Sequence, residues 1–210
     1  MRFPVHKAVL SSQSDYFNSM FQRDWKENAQ GEVELKEDVS FVVEAMIQFM
    51  YYADYERPAI ESYDYEFEFL FDAQVYVIAE KYGLPDLKQR AQEKFSSQQT
   101  YEPGETRFTS KIAYFSEAVE VIFNNTPPSD PAVRDLRNMM TELAVRHISD
   151  FLKCPDFNRV LGEIPEFGAS LVKDLARQVE TLTNTKMYQC SSCDGNSQAI
   201  LDNRPYYPSS

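Results

Sequence analysis

The stretch FPVHKAVLSSQSDYFNSMF, Phe3 to Phe21, lies two residues into the chain and already reads as part of a core element. Val9, Leu10, Phe17, Met20 and Phe21 recur at spacings that place them on one side of a helical path, so the rest of the chain must supply a surface to bury them.

Working outward, Gly31 to Ser40 (GEVELKEDVS) alternates Val33 and Leu35 with Glu32, Glu34 and Lys36, the period of a short half-buried strand. Asp38 and Ser40 are candidate N-caps for a core-facing helix with Val39, Val42, Val43, Met46, Ile47 and Met50 inward, ending near Ala53. The acidic, tyrosine-rich run from Asp54, broken by Pro58, reads as a loop or strand-like connection. Phe67, Leu70, Phe71, Val75, Ile78 and Tyr82 mark a second helix closed by Gly83, and Pro85 opens a third with Leu87, Ala91 and Phe95 inward. The hinge SSQQTYEPGETRFTS is the natural boundary of the chain. Beyond it every pattern is helical. Ile112, Phe115, Val119, Ile122 and Phe123 form one stripe; Val133, Leu136, Met140, Leu143, His147 and Phe151 form the next. After a short segment at Phe157 to Leu161, the last stripe holds Phe167, Leu171, Leu175, Val179 and Leu182. The remaining tail is polar and reads as disordered.

The bulk numbers narrow the function. Of 210 residues, 43% are hydrophobic, enough for a sizeable core, and 33 acidic against 21 basic residues give a formal charge of -12. That balance repels phosphate backbones and anionic lipid, so nucleic acid and membrane surfaces are poor partners. No run approaches the roughly 20 apolar residues of a spanning helix, and the N-terminus has no secretory pattern, which points to an intracellular chain, nuclear or cytoplasmic. Three cysteines, Cys154, Cys190 and Cys193, suit a reducing compartment better than a disulfide framework.

The segments F-x-V-H-K-x-V-L (Phe3 to Leu10) and S-x-Y-F-x-x-M-F (Ser14 to Phe21), then VELKED (Val33 to Asp38), VVEAMIQFMYYADY (Val42 to Tyr55) and VYVIAEKYGLPDLKQRAQEKF (Val75 to Phe95), resemble in order the pieces of a BTB/POZ domain. The remainder is similar to the helical continuation of many fungal BTB proteins. The resemblance implies an α+β, mostly helical fold, a helical cluster with a short sheet followed by an all-α extension. Its parts would be a domain over 1–98, a linker over 99–109, helices over 110–184 and a tail over 185–210. The family's upstream strand has no counterpart before Phe3, so the expectation is a domain lacking its first strand, with an open edge that invites pairing. His6 is then expected to be structural, holding a turn by hydrogen bonding.

Catalysis finds no support. His6 has no nucleophile beside it, Glu66 and Glu68 flank no evident cleft, and no glycine-rich phosphate loop or dinucleotide fingerprint appears, so neither a cofactor nor a small-molecule substrate is implied. Cys190 and Cys193 form a lone C-x-x-C that offers two of the four ligands zinc wants; a dimer could complete the set, and the competing reading is two free thiols in a tail. The acidic, tyrosine-rich segment from Asp54 to Asp72 is either a docking surface or a solvated connection. The expected function is therefore a non-enzymatic protein-protein interaction module, a homodimer or a recruiter of partners such as a cullin ubiquitin-ligase scaffold. A transcriptional or scaffold dimer and a zinc-binding protein are the alternatives. By the resemblance, Val9, Phe17, Met20, Phe21, Phe49, Tyr52 and Tyr55 are the candidate interface residues.

Overall fold

The computed structural model describes residues 1–22, 32–58, 67–97, 108–127, 131–184, 188–189 and 196–197. The chain opens with a short helical hairpin, α1 (Lys7–Gln13) and α2 (Asp15–Gln22). Then come α3 (Ser40–Tyr52), α4 (Glu68–Tyr82), α5 (Pro85–Ser97), α6 (Phe108–Asn125), α7 (Pro131–Arg146), α8 (Ile148–Phe151), α9 (Pro155–Glu163) and α10 (Pro165–Asn184). A two-residue strand pair follows, β1 (Tyr188–Gln189) antiparallel to β2 (Asn196–Ser197), with Tyr188 opposite Ser197.

The opening stretch becomes the α1–α2 hairpin because Ser14, between the two helices, does two jobs. Its hydroxyl accepts from the Phe17 N–H at 3.3 Å, capping α2, and donates to the Tyr82 carbonyl at 2.6 Å, fixing the hairpin to the end of α4. Phe17 then stacks on Tyr82 at 5.2 Å between ring centres.

The centre of the molecule is α4, which buries Phe69, Leu70, Phe71, Ala73, Val75, Tyr76, Ile78, Ala79 and Tyr82. A helix apolar on nearly every face must be enclosed, and α5 and α6 lie along it. Gly83 terminates it at φ 65°, and the Leu84 N–H donates back to the Ala79 carbonyl at 2.9 Å, the Schellman closure that glycine permits without a Cβ clash. Proline is the first residue of α5, α7, α9 and α10, where its missing N–H removes no intrahelical bond. Edge-to-face phenylalanines run from Phe95 through Phe69, Phe115, Phe151 and Phe157 to Phe167 and Phe123, with centroid distances of 5.0–5.9 Å. One core cluster accordingly runs from Leu10 to Leu171.

Several expectations need correction. Val33 and Leu35 are half-buried while Glu32 and Glu34 are exposed, so the alternation is real, yet no strand forms there. A lone extended segment has nothing to ladder with among the described residues. The first residue before α3 is Val39, without a side-chain cap and exposed. Asp38 instead accepts hydrogen bonds from Lys81 Nζ at 2.8 Å and the Tyr82 hydroxyl at 2.5 Å. The stripe from Val133 to Phe151 is not one helix but two, broken at His147, whose backbone leaves the helical region. In α10 burial stops early: Leu171 is buried and Leu175 half-buried, whereas Val179 is 58% exposed. The only sheet pairing among the described residues is β1 with β2, in the region expected to be a disordered tail.

Candidate interaction surface

His6 is the residue before α1, and its backbone N–H donates to the Tyr51 hydroxyl at 2.7 Å; its ring Nδ1 lies 2.9 Å from the same oxygen. The imidazole thereby ties the start of α1 to the last turn of α3, an anchoring position with no nucleophile at hand. Gln13 makes a parallel tie from the end of α1, donating to the Met50 carbonyl at 2.5 Å.

The seven candidate interface residues fall into three groups. Phe17, Met20, Phe49 and Tyr55 are buried in the core; Val9 and Phe21 are half-buried against it; Tyr52 alone projects, 79% exposed, beside the half-buried Tyr51. The helical period explains the split, since residues 49 and 52 share the side of α3 only roughly and the helix ends at residue 52. Among the described residues of the first hundred, the other large apolar side chains open to solvent are Met1, Val5, Tyr16 and Val39. An exposed tyrosine at a helix end offers rigid contact area with a polar tip, the composition favoured at protein interfaces.

Residues 59–66, the middle of the acidic, tyrosine-rich segment, lie outside the described residues, Glu66 among them. The described part folds inward. Asp72, 0% exposed on α4, accepts from the Tyr55 hydroxyl at 2.8 Å and from Arg57 Nη2 at 2.7 Å, and Arg57 Nη1 reaches Glu68 at 2.9 Å. Lys94 of α5 donates to the Tyr55 carbonyl and pairs with Asp54 at 3.0 Å, while Arg90 grips Asp54 at 3.0 and 3.1 Å. Burial pushes the Asp72 carboxyl up, opposed by the Arg57 hydrogen bond, and burial also pushes the Tyr55 phenol up. Asp54 is held well below the ordinary carboxylate value by the Arg90 hydrogen bond. These charges clamp the chain after α3 onto α4 and α5; they are saturated with each other and leave no group aimed at a substrate.

Sequence reading missed this network because it weighed Asp54 and Asp72 as parts of an acidic surface. The available signal was Asp72 itself, a lone carboxylate between Phe71 and Ala73 in a helix apolar all round, which demands a buried cation. His147 is half-buried before α8, with its imidazole pushed to lower pKa by burial and by Arg146. Cys154 is buried as the residue before α9, a helix-end position. Cys190 and Cys193 lie outside the described residues. Among the described residues no three His, Cys, Asp or Glu side chains gather in a way that could hold a metal ion, and no helix is long and apolar enough to cross a membrane.

Comparison with known proteins places the first half of the chain. The BTB/POZ domain family model matches residues 1–99. The chain is 42% identical to kelch-like protein 15 of Gallus gallus over 55 residues, which covers 26% of this chain and 11% of that protein. Kelch-like protein 15 of Homo sapiens matches at 42% over 55 residues, 9% of its length, and kelch-like protein 7 of Gallus gallus at 40% over 52 residues, 9% of its length. The aligned stretch spans about a tenth of the curated relatives it matches.

Proposed function

We propose that this chain, whose residues 1–99 form a BTB/POZ domain, is a non-enzymatic adaptor inside the cell, in nucleus or cytoplasm, that self-associates and recruits protein partners. The observation that carries this reading is the pairing of a BTB/POZ match with an α3 whose last turn presents Tyr52 to solvent on a rigid, tethered helix end. In support, the charged groups around the end of α3, Asp54, Arg57, Glu68, Asp72 and Arg90, are held in mutual ion pairs. Within this reading the partner is a cullin ubiquitin-ligase scaffold, met by the first-hundred-residue unit and widened by the helices of residues 110–184. The kinship with kelch-like proteins 15 and 7 favours that choice over a transcriptional scaffold dimer.

The test is direct. A purified cullin N-terminal fragment is titrated against the chain by calorimetry, with Tyr52→Ala and Tyr52→Asp beside it. Micromolar binding that weakens about tenfold in both variants supports the adaptor. Absence of binding together with a mass of twice 24.4 kDa by light scattering turns the reading toward the scaffold dimer. A monomer that binds no cullin overturns both.

A further inference from the structure

A cleft of about 300 Å³ lies between α7 and α10, with Phe123 of α6 at its side. It belongs to the helices beyond the BTB/POZ match and goes beyond the reading given above. Arg134, Arg137 and Asn138 line it from α7, and Glu166, Ser170 and Lys173 from α10. Three cations and one carboxylate converge there, in a chain whose overall charge is -12.

Arg137 is the fixed point of the cleft. It is 9% exposed, its guanidinium carbon sits 4.3 Å over the Phe123 ring, and its Nη2 donates to the carbonyls of Phe123 and Thr126 at 3.2 and 2.8 Å. Its Nη1 donates to Glu166 Oε2 at 2.9 Å, whereas its buried Nε has no hydrogen-bond partner. Glu166 balances the charge of Arg137, but the Arg137 Nε donor is unanswered and the cleft as a whole keeps two cations in excess of its one carboxylate. Arg134 and Lys173 are exposed, and neither forms an ion pair in the described structure. The Glu166 pair demonstrates that a carboxylate fits against this guanidinium.

We propose that this cleft is a docking groove for an acidic peptide segment of a partner protein. From residue 166 to residue 173 an α-helix rises about 10 Å, the reach of three extended residues. Such a segment presents one carboxylate to Arg134 on α7 and another to Lys173 on α10, and Phe123 and Ala169 add apolar contact. A peptide is favoured over a lone inorganic anion because the cations come from different turns of two helices, Arg134 and Arg137 on successive turns of α7 and Lys173 two turns past Glu166 on α10. The remote acids of the chain oppose approach only weakly, since at about 0.15 M salt charges more than about 8 Å apart are largely screened.

The probe is a fluorescein-labelled hexaglutamate peptide, followed by anisotropy with the whole chain, and hexaglutamine serves as the uncharged control. Binding that Arg134→Glu with Lys173→Glu weakens at least about tenfold, and that salt weakens progressively, is expected. Both side chains are exposed, so the double variant should keep the parent's circular dichroism and melting curve. Glu166→Gln removes the resident carboxylate and should tighten the probe about threefold, a gain that a merely structural role for Arg137 does not produce. Binding unchanged by the double reversal, equal binding of hexaglutamine, or displacement of the probe by micromolar inorganic phosphate would each overturn the proposal. Because no BTB/POZ residue lines the cleft, failure here leaves the cullin titration standing, and failure of that titration leaves this one standing.

Discussion

Asp72 concentrates the risk in this structure. Its carboxylate is fully enclosed and answered by Arg57 and the Tyr55 hydroxyl, so replacement by alanine leaves the buried Tyr55 phenol without this acceptor and the Arg57 guanidinium with Glu68 as its remaining carboxylate. Removing one partner of a buried pair costs about 3–5 kcal/mol, and urea denaturation of Asp72→Ala should register a loss in that range. Asp54 behaves differently because its side chain is half-exposed. Its pKa is depressed by Arg90, so its contribution to stability is present above the unfolded carboxylate value and is lost as pH falls through the folded one. Solvent screening holds that contribution under about 1 kcal/mol, and the gap between the parent and Asp54→Asn should close on acidification below about pH 4. A gap that does not narrow between about pH 5 and about pH 2 would sink this account. Phe17 and Tyr52 supply the contrasting pair: Phe17→Ala should cost about 3–5 kcal/mol, whereas Tyr52→Ala should stay within about 0.5 kcal/mol while altering partner binding. The sequence alone could not separate them, because a run of apolar residues records what wants burial and not which member lies at the helix end.

Helix ends were read with mixed success, and the reason lies in how each end is closed. Gly83 after α4 was legible because glycine is the residue that adopts φ 65° without strain. Ala53 after α3 adopts φ 57° and is the only non-glycine residue at positive φ among the described residues, a conformation its Cβ disfavours. It accepts that strain while its N–H closes on the Phe49 carbonyl at 2.8 Å and its neighbours Asp54 and Tyr55 are clamped by α4 and α5. Ala53→Gly should therefore stabilise the chain, by about 0.5–1 kcal/mol after the added freedom of the unfolded state is subtracted, measurable as a higher denaturation midpoint with unchanged slope. The reverse change, Gly83→Ala, should lose about 1–2 kcal/mol. Helix interiors were mostly legible, since Val42, Val43 and Met46, or Ile112, Phe115 and Val119, repeat at the helical period and are buried where that period places them, whereas Val39 and Val179, on the same kind of stripe, are exposed. That Val33 and Leu35 form no strand was not legible, because alternation reports a half-buried segment and is silent on whether a neighbour exists to pair with it. The break at His147 was equally hidden, as an apolar stripe continues across a bend when both sides face one core.

The phenylalanine relay joins the helices on either side of residues 98–107 through one set of ring contacts. Phe69 on α4 touches Phe95 on α5 at 5.1 Å and Phe115 on α6 at 5.9 Å, while Phe67 meets Tyr114 at 5.7 Å. The first hundred residues thus rely on the later helices to cover the far side of their central helix, and the later helices rely on α4 for their innermost contact. Two-state behaviour follows from such sharing: neither half buries its apolar face alone. Phe115→Ala, which removes the ring joining Phe69 to Phe151, should destabilise by about 3–5 kcal/mol and lower amide protection in α4 and in α6 together. Residues 1–99 expressed alone should expose Phe69 and Phe67, and therefore melt earlier than the whole chain or associate through that face. Separate melting transitions for the two halves, or protection lost in α6 while α4 is untouched, would show that the relay is contact without coupling.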